Sequence, residues 1–117
     1  MVLIVDDEAD LARTSERLLR RNGHHVVTAT TCAAGLTALA DGDPRLVVCD
    51  VRLPDGDGLE VVRAAKRLTP PVPAIVMTAR PSADGRRAAL ACGADSYLSK
   101  PFSAAAFSAL VDRTLGR

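Results

Sequence analysis

The chain is 117 residues long, enough for one compact domain and too short for two of ordinary size. Hydrophobic residues make up 48% of it and charged residues 25%, near the averages of folded globular proteins, which excludes a disordered or collagen-like polymer. Fifteen Lys and Arg against 14 Asp and Glu leave +1, no global attraction for nucleic acid or an anionic membrane, and no apolar run approaches the roughly 20 residues of a spanning helix.

Val2 to Val5 is a short apolar run that reads as a strand and ends at Asp6-Asp7. That start has no basic leader, so the expected location is the cytoplasm. An amphipathic stretch follows, which Asn22-Gly23 can end. His24 and His25 lie at the turn into a second run, His25 to Ala29, and are expected to be surface turn residues and not a metal pair or a phosphorelay histidine. Thr31 is a candidate N-cap for a helix whose inner face is Cys32, Leu36, Leu39 and Ala40, ending at Asp41-Gly42. The third run, Leu46 to Cys49, leads into Asp50. The third helix puts Val61, Ala64, Ala65 and Leu68 on one face and is stopped by Pro70, Pro71 and Pro73.

The fourth run, Ala74 to Met77, ends at Thr78. A helix over Ala83 to Cys92 offers mainly Ala88, Ala89, Ala91 and Cys92 to the core, so it is expected to be loosely held, because burying alanine stabilises much less than burying leucine. Tyr97-Leu98 is the fifth run and leads to Lys100-Pro101. Ser103 then caps a last helix with Phe107, Leu110, Val111 and Leu115 on one face. Cys32, Cys49 and Cys92 form no CxxC pair and read as buried, reduced thiols.

Five apolar runs alternating with amphipathic stretches give a (βα)5 α/β fold. Its doubly wound, five-stranded parallel sheet lies between two helix layers, a three-layer sandwich of strand order 2-1-3-4-5. Nearly continuous hydrophobicity in the strands fits a sheet covered on both faces.

In such sheets ligands bind beyond the carboxyl ends of the strands. That edge collects Asp6 and Asp7, Asp50, Thr78 and Lys100. Asp6, Asp7 and Asp50 would converge, and two unit charges about 4 Å apart at an effective dielectric near 20 repel by about 4 kcal/mol. Lys100 balances one charge, and a hard divalent cation, Mg2+, would balance the rest. The cation leaves room for a phosphate oxygen, which the Lys100 ammonium and the Thr78 hydroxyl can also bind.

Four segments carry a resemblance: Val5-Asp6-Asp7-Glu8, Asp50 to Gly58, Met77-Thr78-Ala79, and Gly93 to Phe102. Together, in this order and spacing, they resemble the receiver domain of two-component response regulators, of flavodoxin-like fold, across essentially the whole chain. The resemblance implies a single receiver domain over residues 1–117; the sequence carries no effector domain, and a stand-alone receiver and the N-terminal piece of a longer regulator both stay open. It implies that Asp50 is the phosphoacceptor, supplied by a sensor histidine kinase, a phosphotransfer protein or a small donor such as acetyl phosphate. Mg2+ would be held by Asp7, Asp50 and the Arg52 backbone carbonyl, with Asp6 acting through a water. Lys100 and Thr78 would contact the phosphoryl oxygens, and the Lys100-Pro101 peptide would be cis. A carboxylate is ionised at neutral pH, so an aspartate acceptor needs no catalytic base.

Thr78 and Tyr97 would form the switch, read by a downstream effector or partner on the face of the fourth helix, fifth strand and fifth helix, with a homodimer possible on phosphorylation. Arg52 and Arg80 lie two residues past Asp50 and Thr78, where this family tunes phosphoryl lifetime. No direct nucleic-acid or membrane contact and no turnover chemistry is expected. Two rival readings fit the sequence less well. A phosphatase of the haloacid dehalogenase kind needs a Thr absent from Asp6-Asp7-Glu8-Ala9-Asp10, and a phosphorylation-independent interaction module would not need the acidic pair, acceptor, Thr and Lys intact. No GxGxxG or P-loop is present for a nucleotide.

Overall fold

A computed structural model describes residues 1–116; Arg117, the last residue of the expected 1–117 domain, lies outside them. The strands are β1 (Val2–Val5), β2 (Val26–Ala29), β3 (Leu46–Asp50), β4 (Ala74–Thr78) and β5 (Ser96–Ser99). The helices are α1 (Ala9–Arg21), α2 (Cys32–Asp41), α3 (Leu59–Arg67), α4 (Ala83–Ala91) and α5 (Ala104–Thr114). All pairings of this five-stranded sheet are parallel and the order is β2-β1-β3-β4-β5, as the alternation of runs predicts.

The sheet divides the interior into two cores. Val2, Ile4, Val26, Leu46, Val48, Ile75 and Met77 face α1 and α5, where Ala12, Leu19, Phe107 and Val111 complete the packing. Leu3, Val5, Val47, Cys49, Ala74 and Val76 point the other way, against Leu39, Val61, Val62 and Ala65 of α2 and α3. Successive strand residues alternate between the two faces, so a strand buried on both must be apolar throughout. Thr31 and Ser103 cap α2 and α5 through their hydroxyls, which accept from Ala34 and Ala106 amides at 3.0 Å each.

α4 buries Ala89 alone, while Leu90 is 44% exposed. Its anchoring is poor because, besides the exposed Leu90, its apolar members are alanines, of which all but Ala89 face solvent.

Four details differ from the sequence reading. Ala40 is exposed and Gly35 takes its place on the inner face of α2, because residues 32, 35 and 39 follow the helical period more closely. Cys92 is only half-buried, as it lies at the cap of the weakly anchored α4, whereas Cys32 and Cys49 are buried thiols. The His24 side chain is 5% exposed, tucked 3.9 Å from Asp112 of α5, while His25 is exposed. Its burial arises because the turn at Gly23, with φ of 91°, returns the chain beneath α5. A two-residue antiparallel ladder, Arg52-Leu53 with Gly56-Asp57, also folds the loop after β3 back on itself.

Candidate functional site

β1 and β3 are neighbours in register, Val5 opposite Cys49, so the residues that follow them emerge side by side. Asp6 and Asp50 are accordingly buried, at 1% and 7% exposure, while Asp7 is exposed. One carboxylate oxygen from each of Asp6, Asp7 and Asp50 lies within 4.8 Å of the others. All-oxygen donors of this charge and spacing fit a hard cation such as Mg2+.

Lys100 enters from the end of β5 with only 6% of its side chain exposed. Its Nζ donates to Asp50 Oδ2 at 2.6 Å, Glu8 Oε1 at 3.0 Å and Asp6 Oδ2 at 3.1 Å. Burial opposes a charge on Lys100, but the Asp50, Glu8 and Asp6 carboxylates outweigh it and hold the ammonium above the usual lysine range. Burial pushes the Asp6 carboxyl up, against the lowering pull of the Glu8 amide and of Lys100. Asp6, Glu8 and Asp50 therefore share one ammonium, with Asp7 beside Asp6 and Asp50, so four carboxylates gather around a single lysine, one more than the sequence suggested. Glu8 is the addition: its contact with Lys100 spans 92 positions, and nothing local in the sequence signals it.

The loop after β3 is tied at several points. The Arg52 amide donates to Asp50 Oδ1 at 3.2 Å and the Gly58 amide to the Val51 carbonyl at 2.7 Å. A Cβ at Gly58 would overlap the Asp50 carbonyl oxygen, so only glycine lets the backbone close over the acceptor. Asp57 Oδ1 accepts from the Leu59 amide at 2.9 Å and starts α3. The Asp55 carboxylate reaches across to the first turn of α2, a link the sequence reading missed.

On the other flank, Thr78 is 7% exposed and its hydroxyl oxygen accepts from the Arg80 amide at 3.0 Å. The Lys100 amide donates to the Thr78 carbonyl at 2.8 Å, which fastens the ends of β4 and β5 together. Lys100-Pro101 is cis, as is Thr69-Pro70, which no local pattern announced. Arg52 and Arg80 are exposed. Tyr97 is half-buried, its hydroxyl accepting from the Ser82 amide at 3.4 Å, where α4 begins. Among the described residues no helix is long and apolar enough to cross a membrane.

A family model described as the response regulator receiver domain matches residues 2–112. The transcriptional regulatory protein PrrA of Mycobacterium tuberculosis is 41% identical over 116 residues, 99% of this chain and 50% of PrrA. The chain thus spans about half the length of this relative. Among solved structures, a CheY-like receiver domain protein from Methanospirillum hungatei superposes with a TM-score of 0.93 at 29% identity, covering 98% of this chain and 92% of that one. The BeF3-activated DrrB receiver domain superposes at 0.90 with 29% identity, covering 99% and 97%. Strand order, acidic pocket and matched length agree, and the chain belongs to the response regulator receiver domain family, the phosphorylation-dependent module of two-component signalling.

Proposed function

We propose that Asp50 accepts a phosphoryl group and that Lys100, Thr78 and the acidic pair make the acceptance possible. The observation that carries this reading is the 2.6 Å contact of Lys100 Nζ with Asp50 Oδ2 inside a cluster of carboxylates. An Asp50 oxygen attacks phosphorus, the bond from phosphorus to the donor's histidine nitrogen or acetate oxygen breaks, and an acyl phosphate forms. Slow hydrolysis, in which water cleaves the bond between phosphorus and Asp50, returns the carboxylate and inorganic phosphate. Nothing in this cycle makes the domain a turnover enzyme.

Repulsion between an anionic acceptor and an anionic phosphoryl group is the barrier that the site must lower. Lys100 supplies a fixed charge beside the acceptor. The Thr78 oxygen already accepts from Arg80, which leaves its O–H to donate to a phosphoryl oxygen. Asp7, Asp50 and the Arg52 carbonyl would hold Mg2+, with Asp6 behind a water, and the ion when bound would neutralise charge on the transferred group. Arg52 and Arg80, at the mouth, modulate the lifetime of the acyl phosphate.

The added charge, roughly −1.5 to −2, draws Thr78 inward, and Tyr97 follows. Tyr97 touches the start of α4, whose buried surface is slight, so the face of α4, β5 and α5 is the output surface. Its partners are a sensor histidine kinase or phosphotransfer protein upstream and an effector downstream, in the cytoplasm. A homodimer formed through that face on phosphorylation belongs to the same reading. The test is intact-protein mass after incubation with acetyl phosphate and Mg2+. One phosphoryl unit is gained by the wild type and none by Asp50→Asn; equal gain by both would overturn the assignment.

A further inference from the structure

An ammonium has three hydrogens, and those of Lys100 point at three carboxylates: Asp50, Glu8 and Asp6. Phosphorylation of Asp50, the reading on which this inference rests, moves negative charge from the carboxylate outward onto the phosphoryl oxygens. Lys100 can follow that charge only by letting go of a carboxylate. Asp6 is 1% exposed, so releasing it would strand a buried anion. The Glu8 side chain is 58% exposed, and water replaces Lys100 there at small cost.

We infer that Glu8 is a positioning residue that holds Lys100 in its unphosphorylated place and so sets how readily the site accepts a phosphoryl group. Glu8 acts through Lys100 and touches no reacting atom. Holding Lys100 against Glu8, at 3.0 Å, favours the unmodified state. The neighbouring acid Asp10 pairs instead with Arg13, at 3.5 Å, and is fully exposed, so it reports on general charge without holding Lys100.

The experiment titrates beryllofluoride, an analogue of the phosphoryl group, into the protein with saturating Mg2+, followed by amide NMR shifts. Wild type, Glu8→Gln, Glu8→Ala and Asp10→Asn are compared, with thermal unfolding to confirm that each is folded. Both Glu8 variants are expected to lower the half-saturating concentration about two- to fivefold, the range of a partly exposed ion pair, while Asp10→Asn leaves it nearly unchanged. An unchanged or raised midpoint in the Glu8 variants, or an equal drop in Asp10→Asn, overturns the inference. If the wild type itself fails to bind, the phosphoacceptor reading fails first, which is a distinguishable result.

Discussion

The Asp55 carboxylate accepts a hydrogen bond from the Cys32 amide at 2.7 Å, bridging the loop that follows Asp50 to the first turn of α2. Its second oxygen takes the Ala33 amide at 2.9 Å. Two otherwise orphaned helix amides are thus satisfied from another element.

These amides hold the Asp55 carboxyl below the usual aspartate range. A lowered folded-state pKa means that the stabilisation is complete above the unfolded value of about 3.9 and is lost as pH falls through the folded one. Asp55→Ala is expected to unfold at a lower temperature than the wild type at pH 7, with the gap closing below about pH 4. A gap independent of pH would show that the charge of Asp55 does not contribute.

Asp7 is the exposed member of the Asp6, Asp7 and Asp50 cluster. Removing one charge relieves repulsion of about 1 kcal/mol for a pair 4 Å apart in water. Asp7→Asn is therefore expected to be more stable than the wild type without divalent cations, and to lack the rise in unfolding temperature that Mg2+ is expected to give the wild type. Calorimetry with and without Mg2+ checks both halves.

Tyr97 is the only tyrosine and the chain has no tryptophan, so intrinsic fluorescence reports on that one ring. A Cβ at Gly85 would sit 3.0 Å from the Tyr97 hydroxyl and 3.0 Å from Ser82 Oγ. Gly85→Ala removes a helix penalty of about 1 kcal/mol but crowds the ring. Altered Tyr97 emission, with a gain in stability below that figure, is the expected result. Unchanged emission would show that the ring does not depend on the gap.

Phe107 is 1% exposed and its ring stacks on Phe102 at 5.1 Å, two residues past Lys100. Phe107→Ala is expected to cost about 3–5 kcal/mol in chemical denaturation. A loss under 1 kcal/mol would mean that α5 is not fastened through this residue.

What could be read from the sequence follows from what is local. Asp6, Asp7, Asp50, Thr78 and Lys100 each follow an apolar run, and a parallel sheet brings the ends of such runs to one edge. Glu8 and Asp55 were silent because their partners lie 92 and 23 positions away, in contacts that no periodicity encodes. His24 was misread for the same reason: a turn residue is buried here by α5, an element far along the chain. Hydropathy favours Ala40 over Gly35 as a core residue, yet a Cβ at Gly35 would lie 3.0 Å from the Val5 side chain, so the close approach of α2 to β1 needs the smaller residue.

The central claim, that the phosphoryl group resides on Asp50, is tested most directly by borohydride trapping. The protein is incubated with acetyl phosphate and Mg2+, reduced, digested and sequenced by mass spectrometry. An acyl phosphate on aspartate is reduced to homoserine, so homoserine at position 50 is the predicted result. Homoserine at Asp6 or Asp7 instead, or a phosphate stable on Thr78 with position 50 untouched, would contradict it.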